Sequence, residues 1–173
     1  MEGIATAPQK LNRLFHGILV FLASVFLLAC SIEPGYEETT SFGEIGWPEK
    51  QVIQYKTPPI EATGNFDLEI FLRHDNNYPF YNCYFIAEIK NEKGLVLKKG
   101  LAEAIFYDPQ SGKPRGEGLG DIFSHQYKIF ENLTVKKGEK INIELRQYMR
   151  RDTLQGIVSV GFALKPHAIN GKN

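Results

Sequence analysis

The chain has 173 residues, with 20 Lys+Arg against 20 Asp+Glu, so its formal net charge is zero. Taken over the whole chain, that balance offers no electrostatic footprint for nucleic acid and no polybasic face for anionic lipid. A composition of 43% hydrophobic and 23% charged residues excludes disorder throughout, and two cysteines are too few for a disulfide scaffold or a four-cysteine zinc site.

The chain opens with a leader. Lys10 and Arg13 precede an uncharged apolar stretch at 17–29, which ends in Leu27, Leu28, Ala29 and Cys30. A basic region followed by a short apolar one is a secretory signal peptide, and the stretch is too short for a comfortable membrane span of about 20 residues. A small residue before a cysteine, with leucine three residues ahead of that cysteine, is the pattern of a bacterial lipobox. It predicts lipidation of the Cys30 thiol, cleavage before it, and acylation of the new amino group by a fatty acid such as palmitate. Two or more acyl chains make membrane attachment stable where one leaves it reversible. Ser31 stands where an aspartate would favour inner-membrane retention, so the outer membrane is the expected destination.

Residues 31–49, rich in Ser, Glu, Pro, Gly and Thr, read as a tether. The expected organisation is a signal peptide at 1–29, a lipidated tether at 30–49, a folded domain at 50–166 and a tail at 167–173. Within the domain, period-2 alternation recurs at 51–56, 65–74, 82–90, 95–98, 101–107, 125–130, 140–149 and 156–165. Residues 65–74 are the clearest case, with Phe66, Leu68, Ile70 and Leu72 on one face. Asn91 to Gly94 reads as a hairpin turn. No stretch of 12 or more residues after Cys30 keeps a helical period. Roughly eight short, turn-bounded strands predict an all-β fold: an antiparallel β-sandwich of the jelly-roll kind.

Motifs for catalysis are scarce. Gly116, Gly118 and Gly120 lack the third glycine position, the following helix and the lysine of phosphate-binding loops, so they read as a flexible loop. His74, His125 and His167 show no metal-ligand spacing, and no serine elbow is present; neither cofactor nor metal is expected. Cys83, in an alternating segment, reads as a small buried residue. The aromatic run at 78–85 reads as core, with sugar stacking as the alternative. Asp152, Thr153 and Leu154 match a three-residue O-glycosylation acceptor of Bacteroidota, with Thr153 as the acceptor.

Three segments, at 71–86, 116–122 and 149–161, together with the lipobox, resemble the gliding-motility-associated lipoprotein GldH family of Bacteroidota. The last is the most specific, placing Met149, Arg150, Asp152, Leu154, Gly156 and Ile157 between two alternating strands. The resemblance implies a non-enzymatic part in the gliding apparatus and its linked type IX secretion system. It implies lipid anchoring at the outer membrane, periplasmic face, with other apparatus lipoproteins or outer-membrane proteins as partners. The alternatives are a lipid-anchored glycan-binding module and an enzyme with a spatially assembled carboxylate pair. Without catalytic motifs, function falls to loops at strand ends. Arg73, Asp75, Tyr78 and Phe80, with Arg150, Arg151 and Asp152, are the expected partner-binding residues. Ion pairing among Arg73, Asp75, Arg151 and Asp152 is the competing structural role. Pro79 predicts a loop or edge at 76–79.

Overall fold

The computed structural model describes residues 35–168. Cys30, the leader at 1–29 and the tail residues 169–173 lie outside the described residues. The described residues form strands and connecting turns without a helix: β1 (Tyr36–Ser41), β2 (Trp47–Pro48), β3 (Ile53–Lys56), β4 (Gly64–Asp75), β5 (Asn82–Asn91), β6 (Val96–Ile105), β7 (Glu117–Leu119), β8 (Ile122–Val135), β9 (Ile141–Gln147), β10 (Thr153–Leu154) and β11 (Ile157–Pro166). Their pairings are antiparallel. One sheet has the order β1-β11-β4-β8-β7, a second β3-β9-β5-β6, and β2 and β10 form a short ribbon.

The topology follows from nested pairing. The innermost pair is the hairpin β5–β6, and outward from it come β4–β8, β3–β9 and β1–β11. Successive pairs fall in alternate sheets, so one long hairpin is wrapped into two layers. This is the jelly roll expected from the strand pattern. Alternation builds the core: Leu68, Ile70 and Leu72 of β4 and Val160, Phe162 and Leu164 of β11 meet Phe85, Ile89, Ile143 and Leu145 of the other sheet, all essentially buried.

Two sequence expectations are corrected. The segment at 31–49 is not wholly a tether, because residues 36–41 form β1 in full register with β11. Polar on both faces, this edge strand lacks a hydrophobic alternation to reveal it. It is held by its backbone ladder and by Tyr55, whose hydroxyl accepts from Thr40 N (3.1 Å) and donates to Val160 O (2.6 Å). Trp47, at 0% exposure, is likewise in the core. Second, the segments 95–98 and 101–107 are one continuous strand, β6, laid against β5 through Gly100. The helix-favouring Leu-Ala-Glu-Ala run is overridden by that ladder.

The sandwich has two ends. At the entry end lie Tyr36, the start of β4, the end of β8, the start of β9 and the β5–β6 turn. At the far end lie the connections at 42–46, 76–81, 106–121 and 148–156.

Candidate docking surface

The far end is built on a buried aromatic cluster. His74 continues the inward row of β4, and His125 lies on the paired strand β8. Their Nε2 atoms are 3.0 Å apart, and His74 Nδ1 lies 3.0 Å from Asp75 O. A carbonyl only accepts, so His74 Nδ1 carries a proton; with both rings neutral, His125 Nε2 donates to His74 Nε2. Burial lowers the basicity of both rings, and the neighbouring His74 adds to the effect on His125, whose pKa falls to about 4. Phe106 stacks on His74 at 4.5 Å and Phe123 at 5.3 Å. Gly116 lies against His125: a Cβ there would stand 2.7 Å from the ring and 2.5 Å from Ser124 O. The turn-rich stretch 108–116 is thus a cover. It is tied by Asp108, whose carboxylate pairs with Arg115 (2.8 Å) and accepts from Ser111 N and Gln110 N, contacts that hold it well below the usual carboxylate range.

An exposed group of tyrosines and arginines surmounts this base. β5 and β9 bring Tyr84 beside Tyr148, whose N–H donates to Tyr84 O (2.8 Å). Tyr81 is 52% and Tyr148 51% exposed. The phenol of Tyr84 is raised, first by its hydrogen bond with Glu103, with Tyr81 a smaller neighbour effect. Arg151 lies over the Phe80 ring at 5.5 Å. The turn that presents the arginines is clamped by Gln147. Its amide donates to Arg151 O (2.5 Å) and accepts from Met149 N (2.9 Å). Within the clamp Arg150 adopts φ +55°, a left-handed conformation uncommon for a side chain of this size. Beside this group, a cleft of about 560 Å³ is lined by Tyr78 to Tyr81 and by Tyr107, Asp108, Pro109 and Gly112.

The structure brings together only some of the seven expected residues. Phe80 and Arg151 are in contact, and Arg150 is exposed in the same turn. Residues 76–79 form a turn and loop, as Pro79 requires. Tyr78 does not present itself to a partner: it is 4% exposed, with its hydroxyl donating to Asn82 O (2.8 Å). Asp75 is engaged by its own turn, accepting from Asn77 N and Asn77 Nδ2. Arg73 faces elsewhere, on the outer face of the five-stranded sheet, donating from Nε to Ser124 Oγ (3.1 Å) beside a cleft of about 710 Å³. Asp152 is exposed, and its carbonyl accepts from Glu49 N. The competing role fails as well, since no ion pair joins Arg73, Asp75, Arg151 and Asp152 within 4.0 Å. Thr153 is half-buried in β10, opposite Pro48.

Gln147 carries no expectation from the sequence, and His74 is weighed there only as a metal ligand, although a signal for both exists. Each is a polar residue at the end of an inward apolar row, after Ile141, Ile143 and Leu145 in one case and Leu68, Ile70 and Leu72 in the other. Cys83 is fully buried, and burial pushes its thiol up to about 12, the opposite of an activated nucleophile.

A family model described as GldH lipoprotein matches residues 35–164, nearly all of the described chain. The chain belongs to the GldH lipoprotein family. It is 28% identical over 160 residues to the gliding motility lipoprotein GldH of Flavobacterium johnsoniae, covering 88% of this chain and 98% of that protein. A GldH homolog of Christiangramia forsetii is also 28% identical over 160 residues, covering 86% and 94%. The family is implicated in gliding motility, and its lipoprotein character places this member on a membrane through lipid. Among solved structures, an α-amino acid ester hydrolase is similar at TM-score 0.37 and 7% identity, over 80% of this chain and 31% of the enzyme; this chain spans about a third of that protein's length. The Eiger TNF of S. frugiperda is similar at TM-score 0.28 and 7% identity, over 81% of this chain and 98% of that one.

Proposed function

We propose that this GldH-family member is a non-catalytic, lipid-anchored component of the gliding apparatus and its linked type IX secretion system. It is held at the periplasmic face of the outer membrane through Cys30. It acts by docking other apparatus proteins on its far end, through Phe80, Tyr81, Tyr84, Tyr148, Arg150 and Arg151. The observation that carries this reading is the exposed tyrosine–arginine group beside a turn that Gln147 clamps in a left-handed conformation. Tyr and Arg are the residues that dominate interface energetics, and backbone strain held by a buried clamp preorganises them. The absence of catalysis is supported by the character of the reactive groups. The Cys83 thiol is buried and weakly acidic, and the two imidazoles are neutral, bonded to each other and covered.

A photo-crosslinking residue in place of Tyr148, introduced into the full-length protein in its own membranes, tests this. Crosslinks from position 148 to an outer-membrane or apparatus protein are expected, and none from Lys56 at the entry end. Position 148 yielding only polysaccharide adducts would transfer the surface to the glycan-binding alternative, for which three clustered tyrosines also qualify.

A further inference from the structure

The entry end carries exposed apolar side chains. The end of the β5–β6 turn and the start of β6 present Leu95 at 64%, Val96 at 45% and Leu97 at 40% exposure. The turn is well formed, with Gly94 N bonded to Asn91 O (2.9 Å) and the Asn91 side chain accepting from Lys93 N and Leu95 N. Three consecutive aliphatic residues displayed to water beside a well-formed turn call for an apolar environment.

Contacts across this end tie the turn to the place where the chain enters. Tyr36 Oη accepts from Glu61 N (3.2 Å) in the 57–63 connection. That connection is bonded to the 136–140 turn through Ile60 N to Glu139 O and Gly138 N to Ile60 O. Lys140 then pairs with Glu92 of the β5–β6 turn (3.4 Å). Lys93, Lys136, Lys137 and Lys140 lie at the same end as Leu95, interleaved with Glu61, Glu92 and Glu139.

The covalent chain limits how far this end can stand from the anchor. Six residue steps separate Cys30 from Tyr36, a span of about 20 Å even when fully extended. This is close to the width of a four-stranded sheet at about 4.8 Å per strand. An acylated Cys30 thus keeps the entry end within reach of the bilayer surface.

We propose that the entry end is a bilayer-contacting surface. Leu95, Val96 and Leu97 enter the headgroup–acyl boundary, with Lys93, Lys136 and Lys137 at the level of the headgroups. The inference rests on the reading of Cys30 as the lipid anchor, and it adds an orientation: the far-end docking surface is turned away from the membrane.

The test uses the full-length acylated protein bearing Leu95→Cys or Lys113→Cys, labelled with the polarity-sensitive dye NBD. Acylated Cys30 and buried Cys83 do not compete for the label. Proteins are reconstituted on vesicles of phosphatidylethanolamine and phosphatidylglycerol at 3:1, with and without doxyl-labelled phosphatidylcholine. The expected result is a several-fold rise and blue shift of emission at position 95, quenched by the doxyl lipid, with position 113 remaining water-like. A water-like label at 95 on protein that sediments with vesicles overturns the surface and leaves the anchor standing. Full-length protein that stays in the supernatant overturns both.

Discussion

Single side chains decide the shape of the far end, and the buried histidine pair is the most sensitive of them. His125 has a folded pKa of about 4 against about 6.5 when unfolded, and His74 is shifted the same way. Both are bases with lowered folded pKa values, so the unfolded chain binds more protons between those limits. Stability is complete above about pH 6.5 and is lost as pH falls toward 4, by on the order of 3 kcal/mol if His125 alone is counted. Melting curves should show this decline, and His125→Gln should remove most of the slope between pH 6.5 and 4. Asp67 accounts for what happens at lower pH. Burial opposes its ionisation, but Asn132 N, Lys128 and His167 hold it down to about 2. Its contribution is therefore lost below about pH 4, in the variant as in the parent. Gly156 is equally exacting: it has φ +80°, and a Cβ would fall 2.3 Å from Tyr78 N. Gly156→Ala should lower the melting temperature by roughly 5–15 °C, a cost of about 2–4 kcal/mol.

At the level of strands, legibility in the sequence tracked how one-sided the burial is. β4 and β9 each alternate a buried apolar row with a row of mostly polar, mostly half-buried residues, so alternation locates them. The C-terminal flank of β8 does not read as strand because the residues beyond Phe130 break the alternation at bulges opposite the Phe66–Glu69 stretch. β1 was invisible because its stability comes from backbone pairing and from the hydroxyl of a tyrosine in the other sheet. That dependence predicts a specific result for Tyr55→Phe. The loss should be about 1–2 kcal/mol, with hydrogen exchange accelerated at residues 36–41 and little changed in β9. Uniform acceleration across both sheets would mean that Tyr55 acts through core packing alone. The docking residues were half legible. Loops bounded by Pro79 and Arg150 could be located from turn chemistry, whereas the inward direction of Tyr78 and the outward one of Tyr81 and Tyr148 depend on how strand ends splay.

Over the whole molecule, nested pairing makes the fold non-local: β1 must find β11 across more than a hundred residues. Slow folding is the expected price of such topology. The same wrapping sorts function spatially. The strand entry and the exposed Leu95–Leu97 segment lie at one end, and the histidine cluster and the clamped arginines with Tyr81 and Tyr148 at the other. Cys30→Ser should release the protein from membranes into the soluble fraction, and metabolic labelling with a clickable fatty acid should mark only the parent. The central claim, that the far end is a docking surface and not a structural brace, is tested most directly by capture from intact outer membranes. Parent protein and an Arg151→Ala/Tyr148→Ala variant are compared, each with its melting temperature. The account predicts that the variant melts within a few degrees of the parent and loses the captured partner. A variant that is strongly destabilised, yet retains the partner in its folded fraction, would contradict it.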